Sequence, residues 1–187
     1  MPSLSDVDRR ALLRLARQAI IDAVSRESLP EQIPMDGIFA ERRGAFVTLH
    51  VRHRLRGCIG VTEALDPLGD CIVRCAAGAA LQDPRFPPVR ADEIPDLQIE
   101  ISLLSSPAPI LPGEIEIGRH GLLISRGLKR GLLLPQVATE HRLNGEQFLQ
   151  ETCRKARLPP DAWRDPDVEL FGFTCEVISE DAHAART

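Results

Sequence analysis

The chain has 187 residues, of which 43% are hydrophobic and 27% are charged, an ordinary composition for a soluble globular protein. Its formal net charge of -4 argues against a chain built for non-specific nucleic-acid binding, because such proteins usually carry a basic footprint. The five cysteines are odd in number and form no CxxC pair, so the sequence predicts neither a disulfide framework nor a zinc ribbon.

The N-terminal segment does not resemble a secretory signal, because Asp6, Asp8, Arg9 and Arg10 precede any apolar run. No apolar run approaches the roughly 20 residues that a helix needs to span a bilayer. We therefore expect a cytoplasmic protein with reduced cysteines and no membrane contact.

The first third of the chain predicts a helix followed by a β-hairpin. Ser5 followed by Asp8 resembles a capping box and predicts an amphipathic helix beginning there, with a loop from Glu27 to Met35 after it. The alternating run 45–51 predicts a strand. The turn-sized polar segment 52–54 then predicts a hairpin to a second strand.

The second strand of this hairpin carries an unusual combination of thiol, guanidinium and glycine. Simple alternation would bury Leu55, Ile59 and Val61 and place the remaining side chains on the other face, namely Arg54, Arg56, Cys58 and Gly60. Positive charge favours the thiolate form of a cysteine, and glycine in a strand often marks close approach by a ligand or another backbone. The alternative is that Cys58 is a small buried filler between solvated arginines.

A helix and a third strand are predicted to follow. The run Leu68–Leu81 is rich in small residues, which indicates a helix packed closely against a sheet. Asp83 and Arg85 lie in a proline-stiffened loop, where they either bind a ligand or form a local ion pair that fixes the loop. The run Leu97–Leu104 alternates as a strand and turns Glu100 away from the core.

The second half of the chain predicts short strands, one helix and a final strand. A proline-rich segment, 105–113, is the best candidate for a linker. Short strands over 115–135, a helix beginning at Asn144 and a strand over 168–178 follow. The fold class is therefore α+β, with a mainly antiparallel sheet flanked by helices. We expect one domain over 1–187, with a small β-containing subdomain within about 106–140.

Several ordered blocks resemble the AMMECR domain family. Leu55-Arg56-Gly57-Cys58-Ile59-Gly60 resembles the signature of that family. The later matching blocks, in chain order, are Asp83–Pro88, Ile99–Leu104, His120-Gly121 and Leu134–Ala138. The resemblance runs from about Phe46 to the 171–173 region, which is most of the chain.

The resemblance implies a fold, partners and site residues. It implies the same α+β class, and in some members the domain is the A component of the AmmeMemoRadiSam set, so a Memo-like protein and a radical-SAM protein are the implied partners. It implies a cleft in which Cys58 is a thiolate or soft contact and Glu100 a carboxylate partner or proton acceptor. The implied binding residues are Arg56 and Arg85 as anion-binding guanidiniums, with Gly57, Gly60, Asp83 and His120.

Three functions remain open from the sequence. The first is an accessory or binding component, whose partner would hold any iron–sulfur cluster because this chain lacks a radical-SAM cysteine triplet. The second is an enzyme that uses Cys58 as nucleophile on a small anionic substrate, with His50, His53, His120 or His141 as base. The third, a nucleic-acid regulatory module, is disfavoured by the charge and by the scarcity of aromatic residues. We expect no cofactor and no metal, since His50, His53 and Cys58 lack the spacing of common zinc ligands.

Overall fold

The computed structural model describes residues 4–26, 33–63 and 65–180, so most of the loop predicted after Glu27 lies outside the described residues. Its helices and antiparallel strands confirm the α+β class. The chain divides into two compact units, the first formed by the residues up to Leu104 with those from Glu176 onward, and the second by Ser105–Cys175. The range predicted as a subdomain, about 106–140, lies inside the second unit.

The first unit packs helices against one face of an antiparallel sheet. Its helices are α1 (Asp6–Ser25), α2 (Gly37–Ala40) and α3 (Leu68–Leu81), and its strands are β1 (Ala45–Val51), β2 (Arg54–Val61) and β3 (Leu97–Leu104). Strand β1 lies between β2 and β3, so β2 is an edge strand. One core joins the buried faces of α1 and α3 to Val47, Leu49, Ile99 and Ile101 of the sheet.

Small residues let α3 approach the sheet as the sequence predicts. A Cβ atom placed on Gly57 of β2 would lie 2.1 Å from the carbonyl oxygen of Ala79, and one on Gly78 would lie 3.3 Å from the Ile59 side chain. Helix and strand backbones are therefore close enough that a side chain at Gly57 would force them apart. This contact fixes β2, and the signature on it, against the core.

A β-bulge in β2 makes part of the predicted alternation wrong. Gly57 pairs with Leu49 and Leu55 pairs with His50, so Arg56 is the extra residue between the two pairs. The bulge shifts the earlier part of β2 by one residue. Leu55 consequently leaves the buried face and is 40% exposed, while Arg54 pairs with Val51 on the side of the helices.

The second unit has its own hydrophobic core. Its strands are β4 (Ala108–Pro109), β5 (His120–Arg126), β6 (Lys129–Leu133) and most of β7 (Glu169–Ser179), in the order β6-β5-β7-β4. Its helices are α4 (Pro135–Glu140) and α5 (Gly145–Lys155). Leu122 and Ile124 of β5 pack with Phe148 and Leu149 of α5 in this core. The last residues of β7 belong to the first unit.

None of the helices within the described residues is both long enough and apolar enough to cross a membrane.

Candidate functional site

A row of three side chains crosses the sheet of the first unit. Thr48 of β1 lies directly opposite Cys58 of β2 on one side and Glu100 of β3 on the other. Directly paired residues of antiparallel strands share a face, so all three lie on the face turned away from the helices. Cys58 and Glu100 are separated by two strand spacings, which is about 10 Å. The two candidate reactive groups therefore share a surface with Thr48 between them.

The Cys58 thiol is held from within this row. The Thr48 hydroxyl donates a hydrogen bond to Cys58 Sγ over 3.3 Å. The main chain of Cys58 turns its N–H outward to Asp83, so Thr48 and Cys58 form a non-hydrogen-bonded pair, in which opposite side chains come closest. Cys58 is half-buried, so it is neither a fully buried filler nor a freely exposed thiol.

Asp83 joins the edge strand to the loop that follows α3. Its buried carboxylate accepts the Cys58 N–H over 2.8 Å and the Arg85 N–H over 3.0 Å. It also accepts two bonds from the Arg85 guanidinium, at 2.9 and 2.7 Å. The hydrogen bonds from the Arg85 side chain are the main reason why the pKa of Asp83 lies well below its usual range, and the two backbone N–H groups add to the effect.

Arg85 presents a fixed positive charge beside the thiol. Its side chain is 55% exposed although one edge of the guanidinium is bound to Asp83. The guanidinium stands 5.5 Å from the centroid of the Phe86 ring. Asp83 and Arg85 thus form the local ion pair that the sequence left as one alternative. The exposed part of Arg85 still offers donors to an anion.

Arg56 is held far more completely than Arg85. It donates to both carboxylate oxygens of Glu93, at 2.8 and 3.0 Å, and to the carbonyls of Pro87 and Pro88. Only 14% of its side chain is exposed. Four of its hydrogen bonds therefore bind the loop 87–93 to the bulge of β2, which favours a positioning role over direct contact with a ligand.

The two glycines of the signature are explained by close packing. Gly57 faces α3, as described above, and Gly60 lies opposite Phe46 on β1. A Cβ atom on Gly60 would lie 2.2 Å from the Phe46 ring, so the ring occupies the place of a side chain. Both positions admit only glycine without rearrangement, whether or not a ligand approaches.

Glu100 opens onto a small polar cleft of its own. The cleft has a volume of about 200 Å³. The residues that line it include Glu100 and Gln98 of β3, His50 of β1, His53 of the hairpin turn and Ser179. Of the four histidines proposed as bases, His50 lies on the face of the sheet that carries Cys58, and His53 lines the same cleft from the turn.

The other two candidate histidines belong to the second unit. His120 begins β5, and its Nδ1 accepts the Glu116 N–H over 3.1 Å. His141 ends α4. The first unit thus contains Cys58, Asp83, Arg85 and Glu100, whereas His120, which the resemblance places with them, lies in the second unit.

Within residues 4–26, 33–63 and 65–180, no three His, Cys, Asp or Glu side chains are arranged to hold a metal ion.

Two contributors to the site were not identified from the sequence. Thr48 binds the thiol, and Glu93 holds Arg56. The alternation of β1 already puts Thr48 on the polar face, but only the strand register puts it opposite Cys58. Glu93 follows Arg90 by three residues and accepts its N–H, which is a local signal for a turn and does not indicate Arg56.

Comparisons with known proteins agree with this fold. The AMMECR1 family model matches residues 13–178. A protein of Methanothermobacter thermautotrophicus is 43% identical over 188 residues, covering 95% of this chain and 97% of the relative. A protein of Methanosarcina barkeri is 45% identical, with 95% and 92% covered. The crystal structure of an uncharacterized protein from Pyrococcus horikoshii matches with a TM-score of 0.85 and 39% identity, covering 93% and 92% of the two chains.

Proposed function

Because this chain belongs to the AMMECR1 family, we propose that it is an accessory or binding component that acts through the surface around Cys58. The partners we propose are a Memo-like protein and a radical-SAM protein, as the sequence resemblance implies. The ligand presented to them would be small and anionic. No cofactor of this chain is required, because the proposed role is to bind and position.

The observation that carries the proposal is the double use of the Asp83 carboxylate. It holds the Cys58 N–H and the Arg85 guanidinium at once, so a half-buried thiol and an exposed cation stand side by side in a fixed geometry. An exposed arginine side chain usually samples several rotamers, and ordering it costs free energy when a ligand binds. Because Asp83 already holds Arg85 in one position, binding at Arg85 loses less conformational entropy. A preorganised guanidinium is well suited to a carboxylate or phosphate group.

The positions of Thr48 and Glu100 favour a binding role over a covalent reaction at Cys58. Thr48 donates to the sulfur, so this contact orients the thiol as an acceptor and does not remove its proton. Glu100 stands about 10 Å away across Thr48, which leaves room for a ligand that spans the row. A carboxylate at the far end would favour the positively charged or hydrogen-bond-donating part of such a ligand.

The test is affinity capture from extracts of the native cell, with bound proteins and small molecules identified by mass spectrometry. Arg85→Gln removes the exposed cation, and we expect recovery of the Memo-like or radical-SAM partner to fall about tenfold, the effect of losing one charged hydrogen bond. Arg119→Gln is the matched control, because Arg119 is similarly exposed and ion-paired, with Glu116, but lies in the second unit. Equal recovery with both variants would contradict the proposal.

A second candidate is an enzyme that uses Cys58 as nucleophile on a small anionic substrate. The Asp83 carboxylate binds both the Cys58 N–H and the Arg85 guanidinium, and this favours the enzyme because the guanidinium could hold an anionic substrate near the thiol. Turnover of a captured small molecule, abolished by Cys58→Ser with the fold intact, would select this candidate over the first.

A further inference from the structure

The tip of the β1–β2 hairpin gathers positive charge that the site around Cys58 does not use. Arg52, His53 and Arg54 are consecutive and all exposed. In the part of the chain that the structure describes, neither Arg52 nor Arg54 forms an ion pair. Arg56, two residues further on, is by contrast bound to Glu93. Two guanidiniums on one short hairpin are thus available to a ligand.

These arginines line a cleft with an apolar wall. The cleft has a volume of about 520 Å³ and lies within the range typical of small-molecule sites. Val51 and Leu55 supply apolar surface, and Leu55 is 40% exposed. Of the described residues that line the cleft, Asp96 carries the single carboxylate, and it pairs with neither Arg52 nor Arg54. The lining therefore combines a net positive charge with an apolar patch.

The bulge of β2 produces this combination. Without the extra residue Arg56, Leu55 would be turned to the core and Arg54 to the opposite face. With it, Leu55 lies on the face away from the helices and is 40% exposed, Arg54 lies on the side of Val51, and both residues line the cleft. Bulges next to sites commonly redirect side chains in this way.

The turn itself keeps residues that suit its backbone poorly. Arg52 has a φ of 49° and His53 a φ of 62°, so both adopt the left-handed conformation. Two-residue hairpins of this type strongly favour Asn-Gly, because asparagine and glycine adopt positive φ more readily. A backbone outlier built from charged side chains points to a use for those side chains.

We propose that the hairpin cleft binds a small organic oxyanion, either a carboxylate or a phosphate monoester, that carries an apolar group. Arg52 and Arg54 donate to the oxyanion, since the planar guanidinium matches both kinds of group. Val51 and Leu55 contact the apolar group. This site is separate from the function proposed above and does not depend on it.

The test is an amide NMR titration of the whole chain with two probes, 1-naphthyl phosphate and octanoate. We expect saturable shifts confined to the amides of residues 51–56, and the tighter probe identifies which oxyanion the site prefers. Arg52→Asn suits the turn, so it should keep the fold while weakening binding at least tenfold. Arg54→Gln should weaken binding to a similar extent, whereas Arg119→Gln in the second unit should leave it unchanged.

Three results would overturn the proposal. Shifts elsewhere with none at residues 51–56 would exclude this site. Equal affinity for inorganic phosphate and 1-naphthyl phosphate would show that the apolar wall takes no part. Tighter binding of oligothymidylate than of either probe, through the same amides, would make the hairpin a nucleic-acid surface instead.

Discussion

The Asp83 carboxylate determines how the edge strand and the following loop hold together. It is buried, yet it accepts four hydrogen bonds, two from backbone N–H groups and two from a guanidinium. A buried carboxylate is stable only when its lone pairs are satisfied in this way. One side chain thereby satisfies the outward N–H of Cys58 on an edge strand and orients Arg85.

Asp83→Asn should lower the free energy of unfolding by about 2 kcal/mol at pH 7, because an amide replaces a carboxylate that accepts several charged or backbone bonds. Solvent screens the charge of the half-exposed Arg85 and so limits this loss. The pKa of Asp83 is depressed by folding, so its stabilisation is present above the unfolded value of about 3.9 and is lost as the pH falls toward the folded value. Urea unfolding at pH 7, 5 and 3 should therefore show that the free energies of unfolding of the wild type and of Asp83→Asn approach each other as the pH falls.

The control for this experiment is Asp92→Asn, which breaks the fully surface-exposed pair with Arg90 and should change stability little at any of these pH values. If the free energies of unfolding of the wild type and Asp83→Asn differ by the same amount from pH 7 to pH 3, the stabilisation does not depend on the ionised Asp83 carboxylate, and the prediction is wrong.

Cys58 should react with iodoacetamide ahead of the three buried thiols of the native protein, whereas Cys175, which the sequence also placed on an apolar face, is half-buried like Cys58. Cys58 is half-buried beside Arg85, whereas Cys71, Cys75 and Cys153 are at most 2% exposed. Burial raises the pKa of the Cys153 thiol, which further slows its reaction. We expect Cys58 to react at least tenfold faster than these three thiols. Peptide mass spectrometry of samples taken at timed intervals measures the rates. Arg85→Gln should slow the Cys58 reaction; equal rates for Cys58 and Cys153 would rule out a reactive thiol.

At the scale of the elements, the sequence predicted most of the first unit but not its register. Periodicity and capping signals located α1, α3 and the three strands, whereas a cleft with Cys58, Asp83, Arg85 and Glu100 was implied only by the family resemblance. The bulge at Arg56 was missed, because a bulge leaves no mark on alternation until the partner strand is known. The direct neighbours Thr48 and Glu93 were missed for the same reason, since pairing is a tertiary property.

Short elements were missed in both units. Helix α4 has six residues and begins at Pro135, the residue at which the predicted range of short strands, 115–135, ends. A proline can end a strand and also begin a helix, because its fixed φ suits the first turn of a helix. Helix α2 and strand β4 have four and two residues, too few to show any periodicity.

The hairpin turn gives a prediction at the scale of the element. Replacing Arg52 and His53 by Asn and Gly should raise the free energy of unfolding by about 1 kcal/mol, because both positions have positive φ. Urea unfolding measures the gain. The matched control is Gly127→Ala in the β5–β6 turn, where φ is +58° and an added Cβ would meet nothing within 4 Å. That variant should lose about 1 kcal/mol through the backbone alone, and an unchanged or lower stability of the Asn-Gly hairpin would contradict the strain argument.

At the scale of the whole molecule, charge is distributed unevenly over an acidic chain. The net charge is -4, yet the hairpin concentrates Arg52, His53 and Arg54 at one tip. Each unit has its own hydrophobic core, so the hairpin projects from a unit that is already stabilised independently of any ligand. The surface charges are therefore free to serve binding.

This distribution predicts weak, salt-sensitive binding of nucleic acid. The two hairpin arginines, Arg52 and Arg54, could replace counterions on a duplex, which gives a slope of about -1.8 in log affinity against log salt and a loss of about 12-fold between 50 and 200 mM. Fluorescence anisotropy with a labelled 20-base-pair duplex measures both the affinity and the slope. Arg52→Asn should weaken the residual binding and reduce the slope by about 0.9, and Arg119→Gln in the second unit should do neither. Tight binding that persists at 200 mM salt would instead mean that the cations of the hairpin are joined by other contacts, and the nucleic-acid function would then become the leading one.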